Sequence, residues 1–411
     1  MFNKIANNLL YLLALSPLLN IIAAAYFGIT VIYIVASISY FVLLLTVFEK
    51  QKIVFPYYLK AFFLFTLYAT ILNLVNTEFT FNINYWYNFS PMGFFIIALL
   101  IENTNITDQT IRRTLQAAKA TLLVAFVVMI IQILINPMFL FNTRVIETSF
   151  DQIIWNERLT GIFSWTSQLS SGLDFIPLLA IVISTYSANS RNKVFSWLVL
   201  GLIFSFFTRS RWIVINYLSL FSIFVLQFRN MFSKNVISIL AIVIFSFMAL
   251  TLFDSYGVNV TDTIMNRFFE QDAGGLTKGG SSSRILAFEV FSKLFPKNPI
   301  WGVGLVLNDE LISELGGRSS QIHVGYLALF YHYGLVGGFI YTIFLTSLMR
   351  KLYLTGKRIN KWGAFLGWVG FILANFTLFY IGPYQMGLLV CLVFNKYYMQ
   401  QLENSFAKLS K

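Results

Sequence analysis

Leu9-Leu-Tyr-Leu-Leu-Ala-Leu-Ser-Pro-Leu-Leu-Asn-Ile-Ile-Ala-Ala-Ala-Tyr-Phe27 is a mainly apolar run long enough to cross a bilayer, and a second such run begins at Gly28 and continues to Phe48. A spanning helix needs about 20 predominantly apolar residues. Lys4 ahead of the first run and Ala23, Ala24 and Ala25 near its end give it the outline of a signal peptide. Cleavage there would leave almost nothing before the next span. The two runs therefore predict a retained first transmembrane helix turning tightly into a second.

The same pattern extends along the 411 residues, of which 57% are hydrophobic and 11% charged, where a soluble domain carries roughly 25% charged residues. A soluble core could not hide so many large side chains, 44 of them Phe, whereas hydrocarbon solvates them. The formal charge of +12 does not describe a nucleic-acid surface, because the basic residues sit in short patches between apolar runs, as cytoplasmic anchors do. One cysteine, Cys391, excludes an intrachain disulfide, and two histidines argue against a Cys/His zinc site. No Walker loop or Gly-rich nucleotide fingerprint occurs. The acidic pair Glu270-Gln-Asp272 borders a Gly/Ser stretch too loose for a rigid divalent-cation site. No metal and no cofactor are expected.

The expected architecture is an all-α polytopic membrane protein, a single integral membrane domain over 1–411 with about twelve spans. They run near 7–26, 28–48, 57–76, 88–102, 118–138, 162–186, 194–208, 211–228, 235–253, 322–348, 362–380 and 383–400. With both termini in the cytoplasm, every short cytoplasmic loop is basic, and inversion would break the positive-inside bias at almost every loop. Two segments then face outward, 139–161 and the much longer 254–321. The longer one contains a flexible stretch, Asp272 to Ser283, followed by an amphipathic helix from Arg284 to Phe295, before the tenth span. Ile285, Phe288, Phe291 and Leu294 or Phe295 would share its apolar face, and Pro296 and Pro299 stop it. The chain shows no internal repeat, which disfavours an inverted-repeat transporter.

Charged residues near spans are costly and usually partnered. Thr208-Arg-Ser-Arg211-Trp212 joins two spans with almost no loop, so Arg209 and Arg211 lie at the outer mouth. Interfacial anchoring is the alternative role, but arginine anchors outside run against the usual charge bias. Arginine offers a permanent charge and a forked donor set suited to phosphate oxygens. Arg284 follows Ser281-Ser-Ser283, a serine cap beside an arginine that suits an anion; a solvated loop charge is the rival. Arg158, in Glu157-Arg-Leu-Thr-Gly161, precedes the sixth span, and Arg318 lies close to the tenth. His323 opens the tenth span, where a histidine serves as a general base near neutral pH, or as an ordinary interfacial group. His332 is nine residues deeper and on the opposite helix face. Asp174 lies within the sixth span, either functional or paired structurally. Asn20, Asn73, Gln132, Asn216 and Asn375 read as helix–helix glue.

Four of these stretches form an ordered set: Arg158-Leu-Thr-Gly-Ile-Phe163, Thr208-Arg-Ser-Arg211, then Arg284-Ile-Leu-Ala-Phe288 with Pro299-Ile-Trp-Gly-Val-Gly-Leu305, and His323-Val-Gly-Tyr-Leu327 with Tyr333-Gly-Leu-Val-Gly-Gly338. The set resembles the O-antigen ligase and Wzy-type O-antigen polymerase superfamily. That family shows R-x-x-G-x-F, T-x-S-R, an arginine-headed helix with P-hydrophobic-x-G-x-G, then H-N-x-x-L and G-hydrophobic-hydrophobic-G. Val324 stands where the family commonly has asparagine. The first 150 residues match only in hydropathy.

The resemblance implies a metal-independent glycosyltransferase of GT-C-like fold in the bacterial cytoplasmic (inner) membrane. It would polymerise undecaprenyl-diphosphate-linked oligosaccharide repeat units on the outer face, with the lipid-linked glycan as donor and acceptor. Carried over, Arg211 and Arg284 hold the diphosphate and His323 activates the acceptor hydroxyl; Arg158, Arg209, Arg318 and Asp174 are further substrate-binding candidates. Membrane lipids, a flippase and a chain-length regulator are the implied partners, and nucleic acid is not. A ligase moving the glycan onto lipid A–core is the alternative within the class. A lipid-linked glycan flippase or small-molecule transporter is the alternative outside it, and would place charges near the midplane.

Overall fold

The computed structural model describes residues 2–27, 31–50, 53–76, 90–135, 139, 162, 168–187, 190–207, 211–228, 280–305, 309–315, 322, 324–376 and 386–409. Among them the regular structure is helical. The first half contributes α1 (Phe2–Phe27), α2 (Val31–Lys50), α3 (Tyr57–Asn76), α4 (Ser90–Asn103) and α5 (Asp108–Leu134). Then come α6 (Gln168–Thr185), α7 (Arg191–Phe207), α8 (Arg211–Leu220) and the short α9 (Ser222–Leu226). The last third holds α10 (Gly280–Leu294) with a 3-10 turn at Phe295–Lys297, α11 (Asp309–Glu314), α12 (Gly325–Ile359), α13 (Gly363–Ala374) and α14 (Met386–Leu409).

Three of these, Tyr57–Asn76, Asp108–Leu134 and Gly325–Ile359, are long and apolar enough to cross a membrane. Shorter apolar segments lie at Ile34–Leu45, Met92–Asn103, Asp174–Thr185, Asn192–Ser205 and Gly363–Ala374. The expected ninth span, 235–253, and the outward segment 140–161 fall outside the described residues. The surface carries the membrane signature directly. On α3, Phe62, Phe65, Ala69 and Asn73 face inward, while Leu64, Leu67, Ile71 and Val75 form an exposed stripe at helical spacing. Leu123, Val124, Val127 and Leu134 do the same on α5. Exposed stripes of this kind belong against hydrocarbon, and the protein is an integral membrane protein.

Several helices run past the boundaries that hydropathy suggests, and in two of them the cap shows why. α5 begins at Asp108 rather than near 118, because Thr107 caps it: the Thr107 hydroxyl accepts from the Thr110 N–H at 3.2 Å, and Asp108 complements the helix dipole. α12 continues to Ile359 rather than ending near 348, closed by Asn360 in a left-handed conformation (φ 57°, ψ 43°), with Lys357 and Arg358 in its last turn. Hydropathy marks where a chain leaves the bilayer; capping marks where a helix stops.

The interior is built around α6, whose residues Phe175 to Ile183 are buried on every face. α13 and α14 pack on it, and α8 packs on α13. Close approach is made by small residues: a Cβ at Gly363 would meet the Ser184 hydroxyl of α6 at 2.3 Å. Beside this, α12 lies against α3, with a cluster of rings joining them to α4 and α13: Phe62–Phe344 at 4.5 Å and Phe94–Trp368 at 5.9 Å between centroids.

Polar groups tie helix ends together. Glu102 at the end of α4 accepts from the Tyr58 hydroxyl at 2.8 Å and pairs with Lys351 of α12. Asn7 of α1 holds the α4–α5 turn, donating to the Asn105 carbonyl (2.9 Å) and accepting from the Thr110 hydroxyl (2.6 Å). Lys361, between α12 and α13, donates to the Ser184 carbonyl (2.8 Å) at the end of α6, as a cation at a helix C-terminus should; burial lowers its pKa.

Candidate functional site

The stretch Pro299-Ile-Trp-Gly-Val-Gly-Leu305 carries two glycines in left-handed backbone, Gly302 (φ 80°) and Gly304 (φ 75°). It folds as a strap against the middle of α12. There Gly334 breaks helical geometry at φ 61°, ψ −170°, so α12 is two helices joined at a kink. The strap fills the gap in the helix ladder. Gly304 N–H donates to the His332 carbonyl (2.7 Å) and Val303 N–H to that of Tyr331 (3.4 Å). In return Leu335 N–H donates to the Pro299 carbonyl (2.9 Å) and Val336 N–H to that of Ile300 (3.1 Å). Non-helical backbone in a membrane protein survives where its polar groups are paired inside protein in this way.

Glycine is required where the two segments cross. A Cβ on Gly334 would lie 2.3 Å from the Ile300 carbonyl oxygen, and one on Gly302 would lie 2.4 Å from that of His332. The two glycine motifs of the sequence, in 299–305 and 333–338, are thus one structural unit.

α3 closes the other side of the strap. The Tyr68 hydroxyl donates to the Trp301 carbonyl and lies 3.2 Å from that of Tyr333. The Asn76 amide donates to the Val303 carbonyl at 2.7 Å. Leu305 N–H donates to the Asn73 side-chain oxygen at 2.7 Å. Asn73 is therefore a support for the strap rather than only glue between helices. His332 is fully enclosed, its Nδ1 2.8 Å from the Gly304 carbonyl oxygen. Neither role is legible from hydropathy; the i, i+3 spacing of Asn73 and Asn76 on a mainly apolar helix is the available signal.

The strap begins where α10 ends. α10 is amphipathic as expected, but its buried face is Ala287, Val290 and Leu294, and Phe288 is 55% exposed. Those three pack with Leu311 of α11 and Leu315 just after it, with Ile322 and Val324 ahead of α12, and with Ala328 and Tyr331 in its first two turns, forming a small core apart from the main one. Lys293–Glu314 and Lys297–Glu310 pin α10 and its 3-10 turn to α11. α10 starts at Gly280, so Ser281, Ser282 and Ser283 form its first turn instead of preceding it, and Arg284 sits one turn in.

The arginine and histidine candidates divide as follows. Arg211 is the first residue of α8 and Arg284 the fifth of α10; their side chains lie outside the described residues. His323 directly precedes Val324, the extended residue (φ −118°, ψ 109°) that caps α12. His323 itself, Arg158, Arg209 and Arg318 lie outside the described residues. Asp174 is described in full. It is buried in α6, and its carboxylate accepts from the Gly387 N–H (2.8 Å) in the first turn of α14. A helix N-terminus is a natural partner for a buried acid, and this contact accounts for its burial.

Residues 194–342 match the family model described as O-Antigen ligase. The O-antigen ligase match agrees with the resemblance carried by the motifs. It runs from α7 into α12 and takes in Arg209, Arg211, Arg284, the strap, Arg318, His323 and the Gly334 kink. It leaves out Arg158, Asp174 and α3. Comparison with curated proteins gives no match.

Proposed function

We propose that the protein is a bacterial membrane glycosyltransferase of GT-C type. It polymerises undecaprenyl-diphosphate-linked repeat units on the outer face of the cytoplasmic membrane, with both termini inside. One observation carries this reading: the strap joins α10, which bears Arg284, to residues 331–336 of α12, the helix whose cap residue Val324 directly follows His323. In the reaction, the acceptor hydroxyl oxygen attacks the anomeric carbon of the donor glycan. The bond from that carbon to the diphosphate oxygen breaks, and its electron pair leaves with the lipid diphosphate. Arg211 and Arg284 hold the diphosphate and stabilise the growing negative charge without a metal. His323 takes the acceptor proton or orients the hydroxyl. Arg158, Arg209, Arg318 and Asp174 are secondary substrate contacts in this scheme. Among them Asp174 has the least freedom, since Gly387 already engages it.

A ligase reading is favoured by the description of the matching model. There the same chemistry places the glycan on lipid A–core or another acceptor. Purified protein supplied with matched undecaprenyl-diphosphate-linked units, with and without EDTA, separates the two. A ladder of lengthening glycans that survives EDTA supports the metal-independent polymerase. No ladder, but glycan on a lipid A–core acceptor, supports the ligase, and neither product refutes the glycosyltransferase.

A further inference from the structure

His332 is a buried histidine to which the proposed chemistry gives no task. Its Nδ1 lies 2.8 Å from the Gly304 carbonyl oxygen. A carbonyl can only accept, so Nδ1 carries the hydrogen and acts as donor. Its own main-chain carbonyl accepts from the Gly304 N–H at 2.7 Å. One residue therefore grips Gly304 through both its main chain and its ring. From the opposite side Asn73 accepts from Leu305 N–H and Asn76 donates to the Val303 carbonyl, both at 2.7 Å. Consecutive strap residues are held in register between α12 and α3. No substrate is needed to explain any of these contacts, and every one acts on the segment between α10 and α12.

We infer that His332, Asn73 and Asn76 are positioning residues that fix the strap between α3 and α12, and that through it they align the Arg284-bearing helix with α12, the helix that His323 precedes in the sequence. The inference rests on the glycosyltransferase reading for its catalytic consequence but not for its structural one. It also extends the working site to α3, which lies outside the matched segment. The grip on Gly304 uses the Nδ1–H of the ring. The side-chain amide nitrogen of asparagine sits where a histidine Nδ1 sits, and that of glutamine reaches the position of Nε2. His332→Asn should therefore keep the grip that His332→Gln and His332→Leu lose. An acid–base role for His332 would be lost in all three.

The test compares full-length wild type with His332→Asn, His332→Gln, His332→Leu and Asn76→Ala, the last at an exposed position where folding is safe. Hydrogen exchange over 299–305 is read without substrate, and glycan extension is read against donor concentration. Expected are near-wild-type exchange and turnover for His332→Asn. For His332→Leu and His332→Gln, exchange over the strap should be faster and turnover at least tenfold lower, with half-saturation little changed. Asn76→Ala should shift both readouts in the same direction by a smaller factor. His332→Asn behaving like His332→Leu, or unchanged strap exchange in both His332→Leu and Asn76→Ala, overturns the inference. Should wild type make no glycan, the proposed function fails, and the exchange comparison still decides the positioning role.

Discussion

The strap at α12 and the packed junction of α6 with α13 are both built on glycine, and they use it for opposite ends. At the strap, glycine frees the backbone to leave helical geometry; the Tyr331 and His332 carbonyls accept from the strap, the Leu335 and Val336 N–H groups donate to it, and α3 holds its other side. At α6–α13, Gly363 stays helical, and its missing side chain only lets two helices touch. Inside a bilayer there is little hydrophobic drive between helices, so close packing supplies the association. The second region makes a stable bundle. The first holds an irregular segment at one defined place, as a site requires.

The contrast can be broken at each end. Gly334→Val should have the largest effect. Its φ of 61° and ψ of −170° suit glycine alone, and a Cβ would meet Ile300 at 2.3 Å. Backbone strain of this kind costs about 3 kcal/mol before the clash is counted. Strap exchange should become fast and turnover should vanish, while helix content by circular dichroism is kept. Gly363→Val should cost about 2 kcal/mol through overpacking. It should lower the thermal midpoint in detergent but leave turnover per folded molecule near wild type. Equal losses of turnover in the two variants would remove the distinction between a site-building and a bundle-building glycine. Lys293→Ala should have the smallest effect, about 0.5 kcal/mol or less, because its pair with Glu314 is exposed. A loss of turnover there would mean that the α10–α11 pinning matters more than the strap.

Much of the bundle was legible because hydrophobic runs report the bilayer directly: the expected third span and α3 share the bounds Tyr57–Asn76. Helix ends were less so. Thr107 and Asn360 set them through capping, and neither residue changes the local hydropathy. The inward face of α10 is legible in part: Leu294 is buried and Phe291 packs against the same small core, as the spacing predicts, whereas Phe288 is exposed. Helical spacing favours the large apolar Phe288, and Ala287 is the neighbour that faces the small core. The glycine motifs flagged the strap, yet its pairing with 331–336 joins positions some thirty residues apart and needs three dimensions. The support that Asn73 and His332 give the strap is not legible in the sequence, because their contacts with it are to the main-chain atoms of Leu305 and Gly304.

The diphosphate clamp is the central chemical claim, and turnover of Arg211→Ala and Arg284→Ala against wild type tests it most directly. The variants should reach the membrane at wild-type levels and each extend the lipid-linked glycan at a rate lower by orders of magnitude, since the leaving-group charge loses its preplaced partner. Near-normal extension by both would contradict the clamp.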